Sequence, residues 1–380
     1  MGKIAKKLLI LTAVFSLCAV SVTGCGKAKD TDVVAKVGDQ EIPYGVANFY
    51  ARMQQAQMES YYTAYGQDVD TLWAQELKDG DTYEESYRKS IMETLENFYL
   101  MEMHMEDYGV TITEEDKQKI EKAAEQFLSS NSDESKDVVS GKKEYVTRVL
   151  ELMTIASRME EPMKAEADVN VTDEEAAQKS MQYVLFSYST QDESGNNVDM
   201  TDEEKAAQKE KAQNFLDQLK ANEFEDFETY AGSAGLEVQT ATFDSESTSP
   251  AEEVVKAADA LQAEGDVSDV IETDGGCYVV KLTSLMDREA TDNKKAELVS
   301  QKKTDKYNEL LKEWRSDAKV KEYKSVWKKL DFVNQGIKVK QKTEDAQTND
   351  DAQTGEDTQT GDDTQADGDT QITGGDDTNE

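Results

Sequence analysis

Apolar side chains all but stop after Val339. From Gln341 to Glu380 the chain is built mainly of Asp, Glu, Thr, Gln and Gly, with the near-repeats DDAQTG at 350–355 and EDTQTG at 356–361. With so little apolar surface to bury, nothing offsets the conformational entropy of ordering it. Residues 341–380 therefore read as a disordered acidic tail suited to spacing or solubility. Calcium binding by its Asp pairs would be weak without a preformed loop. The other end is bounded differently. Lys3, Lys6 and Lys7 precede an apolar run from Leu8 to Val22, which leads into Val22-Thr23-Gly24-Cys25. A basic start, an apolar stretch and small residues before a cysteine form a signal peptide (1–24) ending in a lipobox, with Cys25 as the lipid acceptor. The run of about fifteen residues falls short of the about 20 that a transmembrane helix needs. The expectation is cleavage, a short lipid-anchored linker (25–32) and residence at the extracytoplasmic face of the cell membrane. What lies between the two ends is roughly 300 residues, enough for about two domains.

Those domains must be held by packing alone. Of the three cysteines, Cys18 leaves with the signal and Cys25 takes the lipid, so Cys277 has no partner for an intramolecular disulfide. It reads as a small buried residue. The formal net charge is -38, with one histidine. Such acidity disfavours nucleic acid and anionic headgroups as partners, leaving the lipid on Cys25 as the membrane contact. A single histidine argues against a catalytic triad together with a histidine-rich metal site. His104 lies among Met101, Met103 and Met105. A copper site is conceivable there, but a methionine-rich helix face is the stronger reading, and neither metal nor cofactor is expected.

Three segments, Thr113–Asp116, Thr172–Glu175 and Thr201–Glu204, place a threonine three residues before an acid, the capping-box pattern of a helix start. Val33–Val37, the Gly38-Asp39 turn and Glu41-Ile42 read as two short strands, after which Pro43 opens a helix with Val46, Phe49, Tyr50 and Met53 on one face. Further amphipathic stretches carry Tyr87, Ile91, Leu95, Phe98 and Met105, then Ile120, Ala124 and Phe127, then Val149, Leu152, Met153 and Ala156. Residues 33–171 thus form a strand pair followed by helices. Beyond Thr172 the pattern becomes strand (Tyr183–Phe186), helix (Lys205–Lys220), helical spacing at Phe224, Phe227 and Tyr230, strand (Thr240–Phe243), helix (Ala251–Leu261), the turn Gly265–Asp269 and a closing strand (Gly276–Leu282). That order predicts a small α/β unit over 172–287 with helices on a mixed sheet. One long helix from about Asp292 to Leu330, with Leu310, Leu311, Trp314 and Trp327, is too apolar on one face to stand alone. Residues 288–340 are expected to pack back on the first helices.

The stretch VAKVGDQEIP at 34–43 and the stretch from Ala260 to Leu282, ending GGCYVVKL, resemble the PrsA/SurA-type extracytoplasmic foldases over roughly residues 31–335. In that family a helical chaperone module surrounds a parvulin (PpiC-type) peptidyl-prolyl isomerase domain. The resemblance implies an α+β fold: a SurA-like helical module (33–171) plus a C-terminal helix, with a parvulin-like domain (172–287) inserted between them. It also implies catalytic positions on the first and last strands of the insert, usually histidines, where this chain has Tyr183 and Tyr278. The positions that usually grip proline with a methionine and a phenylalanine fall near Pro250 and Val254, leaving Phe243 and Val254 as candidate substrate-binding residues. The family's glycine-rich segment is replaced by the shorter Gly232–Leu236. The implied function is a membrane-anchored folding factor for unfolded or newly exported polypeptides, with a degenerate isomerase domain and room for a homodimer. An active prolyl isomerase is the first alternative. The second, a solute-binding lipoprotein, would need two α/β lobes where the pattern gives one.

Overall fold

The computed structural model describes residues 17–19, 28–69, 71–78, 80–192, 194–221, 226–334 and 337–339. Cys25, most of the signal segment, Phe224 and the tail from 341 onward lie outside the described residues. Strand β1 (Leu17–Ala19) pairs antiparallel with the last strand, β11 (Ile337–Val339). Among the described residues, no helix is long and apolar enough to cross a membrane.

The chain begins its main core with the hairpin β2 (Val33–Val37) and β3 (Gln40–Pro43), closed by Gly38 at φ +58. Pro43 then caps α1 (Tyr44–Ala64), as its fixed φ and missing N–H suit a helix start. The next helix, α2 (Tyr83–His104), opens with a capping box that the sequence reading passed over: Thr82 Oγ1 accepts the Glu85 N–H while the Glu85 carboxylate accepts the Thr82 N–H. Thr113 does the same with Asp116 to start α3 (Glu114–Ser130). After the short α4 (Asp133–Val138) comes α5 (Lys143–Lys164), the central helix on which α1, α2 and α3 pack. Gly45 is what lets α1 approach α5, because a Cβ there would sit 2.4 Å from the Tyr145 ring.

Residues 288–334 close this unit. Helix α9 (Arg288–Asp317) buries Leu310, Leu311 and Trp314 in the same core as Leu95, Leu152 and Met159. Its Arg315 pairs with Glu96 of α2. The predicted single helix to Leu330 is instead broken: Lys319 adopts φ +52, and β10 (Lys321–Glu322) joins β2 through Lys321↔Lys36 and Glu322↔Ala35. The short α10 (Lys324–Trp327) then delivers Trp327 and Phe332 to the core, where Phe332 stacks on Trp73 at 4.9 Å. The apolar residues after Lys319 belong to this return, not to a continued helix stripe.

Between the helical segments lies a separate sheet of four strands in the order β7-β4-β9-β8: β4 (Lys179–Ser187), β7 (Gln239–Phe243), β8 (Ile271–Thr273) and β9 (Gly276–Ser284). Every pairing in it is antiparallel, which corrects the mixed sheet expected from the element order. The expected α/β unit alternates strands and helices, but each crossover returns the chain in the opposite direction. A small hairpin, β5 (Ser189–Gln191) with β6 (Asn197–Asp199), precedes α6 (Asp202–Ala221). Helices α6 and α7 (Phe227–Ser233) cover one face with Phe215, Leu216 and Phe227 against Val184, Phe186 and Val279. Helix α8 (Glu252–Asp259) covers the other with Val254, Val255 and Ala258. Cys277 is fully buried on the α6 side, with its Sγ 3.0 Å from the Tyr188 hydroxyl.

The capping-box sequence at Thr172 does not start a helix. Thr172 and Glu175 exchange the expected hydrogen bonds, but residues 173–176 form only a turn. That turn is used as a strap: Asp173 pairs with Arg288 and Lys295 of α9, and Lys302 donates to the Asn170 carbonyl at 2.9 Å. Beside it, Asp287 N–H donates to Gln178 O at 2.7 Å and Gln178 N–H to Thr291 Oγ1 at 3.1 Å. The inserted sheet thus enters and leaves the helical unit side by side.

Candidate functional site

The two tyrosines singled out from the sequence share one face of the sheet. Side chains alternate along a strand, so Met181, Tyr183 and Leu185 of β4 face α8, as do Tyr278, Val280 and Leu282 of β9. Tyr183 lies opposite Val280 and Tyr278 opposite Leu185, a diagonal that sets the two rings 5.8 Å apart at 48°. Gly276 permits this geometry at the strand's start. It sits at φ +152, and a Cβ there would lie 2.4 Å from the Phe186 carbonyl oxygen.

Tyr183 donates a 2.7 Å hydrogen bond to Gln239 Oε1, its register partner on β7. Gln239 is the polar neighbour of the pair that sequence reasoning missed, because only strand register brings it there. Burial pushes the Tyr183 phenol above its ordinary pKa; burial and then the neighbouring Tyr183 do the same to Tyr278. Both stay protonated at neutral pH, able to donate a hydrogen bond but not to serve as bases. Phe243 and Val254 are at 0 % exposure and fill the core directly beneath the tyrosines, which are themselves only 7 % and 8 % exposed. Pro250 lies just before α8, outside that core cluster.

The lone histidine has a different setting. His104 stacks on Trp314 at 4.2 Å and 11°, and its Nδ1 lies 3.2 Å from Asp107 Oδ2. Among the described residues, no group of three His, Cys, Asp or Glu side chains could hold a metal. The His104 ring makes an aromatic contact between α2 and α9, and Met101 beside it is buried in the helical core.

The architecture is a helical unit with an inserted antiparallel sheet covered by helices on both faces, and within that insert residues 200–291 match the family model of the PPIC-type PPIASE domain. The match begins after β4, so Tyr183 enters the domain through its pairing with β9 rather than through the matched segment. Among solved structures, the chain is similar to the foldase protein PrsA from Streptococcus pneumoniae, with 21% identity, 67% of this chain and 97% of that chain covered, and a TM-score of 0.28. It is also similar to PrsA from Bacillus subtilis (16% identity, 77% and 93% covered, TM-score 0.20). A third similarity is to the structure reported for PEB4 and Cj1289, SurA-like chaperones of Campylobacter jejuni (11% identity, 76% and 98% covered, TM-score 0.25). No curated protein matches the chain.

Proposed function

We propose that this chain is a lipid-anchored extracytoplasmic folding factor that binds unfolded or newly exported polypeptides, and that its parvulin-type domain has lost most of its isomerase capacity. The observation that carries the reading is the PPIC-type match over a domain inserted in a helical frame. The proteins it is similar to are described as foldases and SurA-like chaperones. The signal segment and Cys25 support placement at the extracytoplasmic face of the cell membrane. Exposed aromatic side chains suit promiscuous binding: at the end of α1, Tyr61 and Tyr65 are 62% and 69% exposed, with rings 4.8 Å apart.

The loss of catalysis follows from what isomerisation requires. The barrier of about 18–20 kcal/mol comes from amide resonance, so a catalyst must hold the twisted amide better than the planar one. That calls for an apolar proline slot beside oriented polar groups. Here Phe243 and Val254 are spent on the core, and the Tyr183 hydroxyl is engaged by Gln239. An active isomerase remains the second reading, favoured by the family match itself. Two measurements separate them. The full chain should suppress aggregation of a denatured reporter at stoichiometric excess while leaving cis/trans exchange of a proline peptide near its uncatalysed rate. Unchanged aggregation removes the folding-factor reading, whereas saturable acceleration of exchange replaces the degenerate domain with an active one. Retention of the Cys25→Ala variant in the membrane fraction would overturn the anchor.

A further inference from the structure

On the flank of β4 that faces β7 the sheet stops short. β7 pairs with β4 only as far as Tyr183↔Gln239, while β9 continues along β4 to Ser187↔Gly276. Val184–Ser187 therefore run beside β9 with no strand on their other side among the described residues. In an antiparallel ladder both main-chain groups of a residue point the same way and alternate along the strand. The Tyr188 N–H donates to Gly275 O, and Val280 and Leu282 bond away from β4, toward Ser268 and Asp266. Val184 and Phe186 thus bond to β9, and the N–H and C=O groups of Leu185 and Ser187 point to the open flank.

A cleft of about 510 Å³ lies on this flank, between β4, α6 and the chain from α7 to Leu236. Leu185 borders it although the Leu185 side chain packs with the opposite, α8 face, as expected if the cleft meets its main chain at the sheet edge. Phe186, Phe215, Tyr230 and Leu236 supply apolar walls, with Phe215 and Tyr230 stacked at 4.9 Å. Among the described residues, Lys211 is the one charged residue of the lining, in a chain whose net charge is -38.

We infer that this cleft takes an extended polypeptide segment by strand addition to β4. The segment's main chain pairs with Leu185 and Ser187, its apolar side chains meet the aromatic wall, and an acidic residue faces Lys211. Unpaired edge groups give such a strand affinity irrespective of sequence, and the wall selects alternate side chains. A folding factor needs that kind of tolerance. The inference deepens the polypeptide-binding reading and rests on it, but lies apart from the Tyr183–Tyr278 face.

The test uses the full chain in mild detergent and an acetylated, amidated heptapeptide of alternating threonine and valine with a central glutamate. Binding should slow amide exchange within 184–188, and a twin peptide with alternate backbone nitrogens methylated should not. Lys211→Glu should weaken binding by about fivefold or more, the scale of one lost charge-assisted contact. Ala234→Trp, at an exposed rim position, should block it. No binding of the peptide, equal binding of the methylated twin, or protection confined to the helical unit would overturn the strand-addition site. In the last case polypeptide binding stands and only its location moves; reporter aggregation judges that wider reading independently.

Discussion

Tyr183 and Tyr278 come from the family resemblance, which implies functional positions on the first and last strands of the insert; that they share one face follows from strand alternation and the β4–β9 register. Gln239 was not legible in the sequence, since its role depends on β7 pairing with β4 in one register out of several. The burial of Phe243 and Val254 was equally hidden: an apolar residue near a site reads the same whether it lines a slot or fills it. Gly276 illustrates a residue whose identity is dictated by backbone alone. Its φ of +152 is disfavoured for any side chain, and a Cβ would press on the Phe186 carbonyl, which cannot give without breaking the β4–β9 ladder. Gly276→Ala should therefore cost about 2–3 kcal/mol, from strain and the displaced strand together. Urea unfolding of the inserted domain, followed by amide exchange of β9, would show it; a loss under 0.5 kcal/mol would mean the strand start relaxes freely.

At the scale of elements, helix starts were easier to foresee than helix ends. Thr113 and Thr201 announce their helices through capping boxes, yet the same box at Thr172 forms its hydrogen bonds without a helix, because Asp173 is drawn to Arg288 and Lys295 instead. Lys319 leaves no composition signal at all, and the break there follows from β10 reaching β2. How α9 holds to α2 is best read at Glu96. Its side chain is 1% exposed and ion-paired to Arg315, while its Oε1 has no hydrogen-bond partner among the described residues. Burial raises its pKa, and Arg315 pulls it back down. A carboxyl raised in the folded state gives stability that is fully present below its unfolded pKa of 4.5 and is lost as pH rises through the folded value. Arg315→Ala removes the opposing charge and leaves a carboxylate buried alone. We expect a loss on the order of 3 kcal/mol at pH 8 and a markedly smaller one near pH 5, where Glu96 takes up a proton. Equal losses at both pH values, by thermal unfolding of the same variant, would assign the effect to lost packing.

Among the described residues, one helical core and the two cores on either face of the inserted sheet are joined by a side-by-side crossing at Gln178, Asp287 and Thr291. The helical core is discontinuous in sequence, since residues 34–163 are completed only by 310–332. The sequence suggested this closure because Trp314 and Trp327 are too apolar to be left in water, but the partner surfaces depend on three-dimensional packing. Trp327 is 4% exposed, and its Nε1 donates to the Arg88 carbonyl at 3.1 Å. Trp327→Ala opens a cavity under the returning segment and should cost about 3–4 kcal/mol. Because the inserted sheet has cores of its own, that loss should fall on the helical unit alone. The chain permits a direct check: its three tryptophans, Trp73, Trp314 and Trp327, all lie in the helical core. Fluorescence of the two that remain reports that unit, while amide exchange along β4 and β9 reports the insert. In the variant the fluorescence transition should move to lower denaturant as strand protection stays unchanged. If both move together, the units fold as one cooperative body, and the crossing at Gln178 and Thr291 carries more coupling than its few hydrogen bonds imply.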